Sequence, residues 1–409
     1  MSGRTITLKD VFKCRPFLIM WTAMFTSTIG TFLLLLVLAA QVFEKTHSSF
    51  DAGMIFAAQW LLPVILFSYI GKIASKFNIQ RTLASSQVAG GLISLVIGLL
   101  YSSPLIVIIL LLSFRGLFEA ITKTTREVAF KAFIPTELQA KASSLFESSY
   151  YLGTGFGGLL GAYLIGKVGI TAIALVDSTT FIIAAFFYAS LKNLVVKEEP
   201  ESADKSWKLG IRHVRGNRQL FSTFSFLLLN VIIFQGLHNV ARTVLPIQQL
   251  KLGMQGTQYL QIIFCLAITL ATLLFAKYQC DKMDIKWSAW WRVLFTGLFL
   301  LCSAYSSSAI IGLSFYFLFA FQFEMSFLRH KTDMRLLCSK ESIGHVSALF
   351  HSFAHLGMIV TILIFGKSSD WFGFPSASTG LFVIAALIAF ILSPKSSGVT
   401  NSVYSKGLS

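Results

Sequence analysis

The chain has 409 residues, of which 55% are hydrophobic and 13% charged, with 34 Lys and Arg against 18 Asp and Glu. A soluble domain carries about a quarter charged residues, so the composition excludes one. The basic residues lie between apolar runs, so the net charge of +16 reads as membrane orientation rather than nucleic-acid binding.

The apolar runs predict twelve membrane-crossing helices, at roughly 17–42, 50–70, 83–101, 105–123, 144–165, 170–191, 220–241, 256–276, 289–305, 308–328, 345–366 and 375–393. Each is too long and too uniformly apolar for a barrel strand. The start, MSGRTITLKDVFKCRPF, has no apolar core ending in a small-residue cleavage site, so no signal peptide is expected. Cys14, Cys265, Cys280, Cys302 and Cys338 have no metal spacing and read as inert thiols. No cofactor is expected.

Most Lys and Arg fall at the N-terminus, in alternate loops and in the tail. The opposite side holds Lys45, Lys167, Arg242, Lys251 and Lys367, while Arg115 and Arg292 fall inside helices. That bias predicts a multi-pass protein of the inner (cytoplasmic) membrane with both termini cytoplasmic.

The chain repeats itself. Leu145, Phe146, Ser148, Leu152 and Gly153 return as Leu349, Phe350, Ser352, Leu356 and Gly357, each 204 residues on, and Phe118-Glu119 returns as Phe323-Glu324. A period of half the chain fits a transporter of two parallel repeats rather than a solenoid. The expected fold is all-α, with twelve transmembrane helices in two six-helix pseudo-symmetric halves. The expected division is a bundle over 1–191, a linker over 192–219, a bundle over 220–393 and a tail over 394–409. Trp207 to Leu220 in the linker reads either as a basic amphipathic helix on the cytoplasmic leaflet or as a solvated connection.

Several side chains are too polar for lipid. Arg115 lies midway along the fourth span, with Glu119 one turn on and on the same face. The two are either a structural ion pair or a charged pair lining a central cavity, where Arg115 holds an anionic group. Asp177 in the sixth span has no like-spaced base in its own helix. It reads as a proton-coupling carboxyl shared with Glu119, or as a helix contact bonded to Ser or Thr. The seventh span carries Asn230, Gln235, His238 and Asn239, then Arg242 at the outer mouth, and is expected to line the path. His351 and His355 share a face of the eleventh span. Without a third ligand they read as cavity-facing rather than zinc-binding. Gly71, Lys76, Arg126, Glu147, Asp281, Lys282 and Glu324 form the expected cytoplasmic gate, and the small-residue spacing of Gly153, Gly157 and Gly161 suits close helix packing.

Twelve spans in a six-plus-six repeat resemble the major facilitator superfamily. That superfamily carries G-x-x-x-D-R-x-G-R after the second helix. Gly71 to Arg81 matches its Gly and a basic residue but has Ser75 for the Asp, whereas the second copy keeps Asp281-Lys282. Arg115 matches the R-x-x-Q-G of drug antiporters, with Phe118 and Glu119 in place of Gln and Gly, and Gly157 to Ala162 matches G-P-x-x-G-G without its Pro. The segments RGLFEA (115–120), AFIPTELQAKASSL (132–145), DSTTF from Asp177 and LGIRHVRGNRQL (209–220) are similar to the branch of the enterobactin exporter and macrolide-type efflux proteins. The resemblance implies a monomeric secondary transporter, not an enzyme. It would export a small amphipathic or siderophore-like molecule, anionic in view of its arginines, in exchange for protons. Import of a siderophore, lysolipid or other metabolite is the alternative. A membrane acyltransferase using His351 or His355 lacks a second catalytic constellation, and a sensor or scaffold lacks a soluble domain.

Overall fold

The computed structural model describes residues 8–192, 203–277, 289–338 and 342–393. These are helical apart from short connections, with no strand among them. A short α1 (Leu8–Lys13) leads into α2 (Arg15–Thr46). There follow α3 (Ser49–Ile65), α4 (Phe67–Lys76), α5 (Ile79–Leu99), α6 (Leu105–Phe133), α7 (Thr136–Leu164) and α8 (Ile170–Ala189). After the linker helix α9 (Ala203–Gly216) come α10 (Arg218–Leu229), α11 (Gly236–Val244), α12 (Gly253–Lys277), α13 (Ala289–Ala304), α14 (Ala309–Leu337), α15 (Ile343–Phe372) and α16 (Phe374–Leu392).

Among the described residues, nine helical stretches are long and apolar enough to cross a membrane, and α3 and α13 are apolar but shorter. The long α7 completes the set; its first half is polar and its second is Gly-rich. Helices alone satisfy every backbone donor and acceptor inside lipid, and the protein is an all-α membrane protein built in two halves. Helix α2 is the axis of the first half and is buried on every face from Leu33 to Ala40, packed against α7 and α8. At the other extreme, α16 buries about a fifth of its apolar window and presents the rest outward.

Several boundaries differ from the sequence reading. The second span breaks at Leu66, three residues after the internal Pro63; the proline itself leaves the preceding turn one backbone donor short. The chain then continues as amphipathic α4 through the stretch expected to be a loop, burying Ile70 and Ala74 against α6. Helices α6, α7 and α14 likewise run past their apolar spans at the end that carries the termini, because an amphipathic continuation is as helical as an apolar one. In the linker, α9 packs on α15, with Gly210 against the His345 carbonyl and Leu349 and Val214 in the same buried cluster as Val346, Leu349 and Phe350. Lys208, Arg212, His213 and Arg215 stay exposed, so α9 belongs with α15.

Gly116 lets α6 touch α3, since a Cβ there would run into the backbone carbonyl of Gln59. The carbonyl is fixed in a helix and cannot swing away. Gly116→Ala is therefore expected to cost about 1–3 kcal/mol, the usual range for overpacking, read as a lower melting temperature of the detergent-solubilised protein.

The halves meet along two seams, both towards the end remote from the termini. On one, α3 packs on α15. The Asp370 carboxylate accepts bonds from the Ser48 hydroxyl at 2.9 Å and from the backbone N–H groups of Ser49 at 2.5 Å and Phe50 at 3.2 Å. Ser49 and Ser369 share a hydroxyl bond at 3.1 Å, and Gly366 lies against the Phe50 backbone. On the other seam α7 packs on α12. Gly155, Gly158 and Gly161 face Cys265, Ile262 and Gln258, and Thr154 Oγ1 lies 2.9 Å from Cys265 Sγ. At the end carrying the termini, the described parts of α6 and α7 share no comparable seam with α14 and α15. The space between the halves opens that way.

Candidate functional site

A cavity of about 280 Å³ lies between the halves. Thr31, Phe32, Gln59, Trp60, Glu119, Tyr150, Tyr151 and Thr154 line it from the first half, and Gln235, His238, Asn239, Arg242, Gln261, Phe264 and Glu324 from the second. The wall is aromatic with amides interspersed, a mixture that takes an apolar body and fixes its polar ends.

The seventh span is continuous from Arg218 to Gln249 but widens into π turns at Asn230–Gln235 and Leu245–Gln249. A π turn inserts an extra residue and re-aims the face that follows, which is why such turns recur at functional sites. Here Gln235, His238, Asn239 and Arg242 all reach the cavity. The His238 ring stacks on Phe264 with centroids 3.7 Å apart, and its Nδ1 shares a 2.5 Å hydrogen bond with the Tyr316 hydroxyl. Arg242 is 5% exposed. Its guanidinium lies over the Phe56 ring of the first half at 3.4 Å and donates to Asn239 Oδ1, while its Nε is buried without a hydrogen-bond partner. No carboxylate pairs with it among the described residues.

Arg115 is the contrary case. It was expected on the cavity wall, but its side chain is completely buried within the first half. Nη2 donates to Asp177 Oδ2 at 3.0 Å and Oδ1 at 3.3 Å and to Thr31 Oγ1 at 2.9 Å, and Nε donates to Ser94 Oγ at 2.8 Å. The Phe181 ring lies 4.8 Å below, and Gly30 leaves room for the Asp177 carboxylate. The partner of Asp177 is thus a base on another helix, which a search within its own helix could not find. Glu119 is 3.8 Å from Arg115 Nη1 and 41% exposed. Thr31 and Glu119 are the groups that both touch Arg115 and line the cavity.

Other expectations resolve unevenly. Asn230 is buried and donates to the Phe323 carbonyl at 3.2 Å, off the cavity wall. His351 and His355 stack on each other, and His355 lies beside Trp60; neither is on the wall. Glu324, expected at a gate, stands on the cavity wall within reach of the Thr272 hydroxyl at 3.4 Å. Arg126 is buried over Phe146, a contact inside the first half, and a Cβ added at Gly71 would meet no atom of another element within 4 Å. Asp281, Lys282 and the side chains of Lys76 and Glu147 lie outside the described residues. Gln59, Trp60, Gln261 and Asp370 were missed. The amides stood as lone polar residues in apolar spans, a readable signal, whereas Asp370 looked like an ordinary helix-end charge.

The model of the major facilitator superfamily matches residues 20–328. The chain belongs to that superfamily. That superfamily is one of multi-pass membrane transporters of small molecules rather than of enzymes. The chain is 23% identical over 264 residues to an uncharacterized transporter of the same type from Bacillus subtilis (strain 168), YkuC; the match covers 61% of this chain and 60% of that protein's length. Among solved structures, a bacterial homologue of the human lysosomal transporter Spinster, inward-facing and unoccupied, superposes with a TM-score of 0.72 at 12% identity over 92% of this chain and 96% of that one. The nucleoside transporter NupG gives 0.72 at 12% identity over 92% and 98%. A POT family transporter in complex with 5-aminolevulinic acid gives 0.75 at 11% over 92% and 95%. At such identities these structures speak for the fold alone.

Proposed function

We propose that this major facilitator works by alternating access, carrying a small amphipathic or siderophore-like molecule with an anionic group outward in exchange for protons. The observation that carries the reading is a polar, ring-walled cavity between two halves that are sealed at one end and apart at the other. Rocking about the α3–α15 and α7–α12 seams would expose the same wall to the opposite side. The Lys and Arg bias supports cytoplasmic termini in an inner membrane, so the open end faces the cytoplasm, as in the inward-facing Spinster homologue. We take 1–191 and 220–393 as the rocking units, joined by 192–219. Both walls come from one chain, so a monomer suffices. Export follows from the resemblance to the enterobactin and macrolide-type branch. Import of a siderophore, lysolipid or other small metabolite is the second reading, since the same fold and cavity serve either direction.

Glu119 is the group placed to couple. It touches both the cavity and Arg115, so its protonation changes the charge seen by the substrate and by the buried pair. The test is flux of iron-free and ferric siderophores and of cationic dyes in proteoliposomes with an imposed pH gradient. Wild-type flux should follow the gradient, its sign separating export from import, and Glu119→Gln should leave flux indifferent to it. Wild-type flux that ignores the gradient removes proton coupling.

A further inference from the structure

Among the described residues, Arg242 and Glu119 bring to the cavity charges of opposite sign, one from each half, that the ion pairs seen there leave unmatched. Arg242 is the positive one. It is nine-tenths buried, its Nε lacks a hydrogen-bond partner, and its other contacts are an amide oxygen and the faces of Phe56 and Phe32. Ring faces and amides ease a guanidinium but do not cancel its charge. Glu119 is the negative one. Its ion pair is with Arg115 at 3.8 Å, and that guanidinium is already spent on Asp177 at 3.0 Å. Taking Arg115, Asp177 and Glu119 together leaves one surplus carboxylate, half exposed to the cavity.

We propose that the substrate is a zwitterion: an organic molecule with a ring or other flat apolar body, an acidic group at one end and a protonated amine at the other. The acidic group pairs with Arg242 towards the sealed end, and the amine pairs with Glu119. The body lies against rings such as Tyr150, Phe264 and Trp60. This rests on the transporter reading above and narrows its substrate from anionic to doubly charged. It also gives the binding step a purpose. Arg242 belongs to the second half and Glu119 to the first, so a molecule held at both ends is satisfied only at one spacing of the halves. Occupancy then selects a conformation.

The test uses the purified full-length chain in lipid nanodiscs, with calorimetric binding of three matched probes at neutral pH. These are 4-(aminomethyl)phenylacetate, a zwitterion; 4-methylphenylacetate, the anion alone; and 4-methylbenzylamine, the cation alone. The zwitterion should bind at least about tenfold more tightly than either singly charged probe, as expected for one further charged contact in a partly dry site. Glu119→Gln should bring it down to the level of 4-methylphenylacetate, whose own binding stays put. Arg242→Gln should bring it down to the level of the amine. Arg242→Lys, which keeps the cation should the glutamine variant fold poorly, should preserve the ranking. If the anion binds wild type as tightly as the zwitterion and still needs Arg242, the zwitterion is overturned and the anionic reading stands. If the amine binds best, or none of the probes binds, both are overturned.

Discussion

Replacing Asp177 by Asn is expected to cost the folded transporter roughly 3–5 kcal/mol, the price of leaving one buried charge without its partner. Arg115 and Asp177 are each completely buried and 3.0 Å apart, and the remaining contacts of the guanidinium are hydroxyls, the ring of Phe181 and, at the longer distance of 3.8 Å, the solvent-screened Glu119. None of the close ones carries a compensating charge. Arg115→Gln should be comparably damaging for the mirror reason, since it strands the carboxylate. The double variant Arg115→Gln/Asp177→Asn should regain most of the loss, because two amides of similar size can bond to each other, to Ser94 and to Thr31. The measurement is a set of melting temperatures for the four proteins in one detergent. A single Asp177→Asn variant as stable as wild type would show that the pair does not hold the first half together. The experiment also protects the reading of transport data, because a flux defect in Asp177→Asn is informative about protons only if the protein remains folded.

Asp370→Ala is expected to shift the protein away from the conformation sealed at α3–α15. One carboxylate there takes three donors from the first turn of a helix in the opposite half, where backbone N–H groups and the helix dipole both favour an anion. Bonds to a charged acceptor are worth about 1.5–3 kcal/mol each when buried. Ser48 and Phe50 are at the surface, and solvent screening reduces the set to about 2 kcal/mol in all, roughly a thirtyfold change in the balance between states. The readout is thiol labelling of a cysteine placed on the cavity wall at Gln59, from the side remote from the termini. The alanine variant should label many times faster than its parent. An unchanged rate would mean that packing alone, such as Gly366 on Phe50, holds this end shut.

The fold was legible because its determinants are local or periodic. Apolar runs mark the spans, and a 204-residue echo from Leu145 to Leu349 marks the two halves. The site was legible residue by residue but not pair by pair. Glu119, Gln235 and His238 stood out as polar groups in apolar helices, and all three reach the cavity. What pairs with what depends on which helices are neighbours, and the sequence does not state that. Arg115 therefore looked like a cavity residue with Glu119 as its partner, whereas α5, α6 and α8 converge to bury it against Asp177. Asn230 shows a subtler limit. It shares a helix with His238, but the π turn that begins at Asn230 changes the angular count, so spacing alone misplaces it. Asp370 escaped notice because a charge at a helix end needs no explanation until its partners turn out to belong to the other half.

The two seams differ in what they are made of. That between α7 and α12 is glycine against largely buried side chains, with an uncharged contact between Thr154 and Cys265, and its strength comes from close packing that dissolved ions do not screen. That between α3 and α15 is held in part by a surface carboxylate, which salt weakens. Raising the ionic strength thus softens one margin of the sealed end and leaves the other unchanged. The vestibule should part first along α3 and α15, lifting like a flap hinged on α7 and α12 rather than widening evenly like an iris.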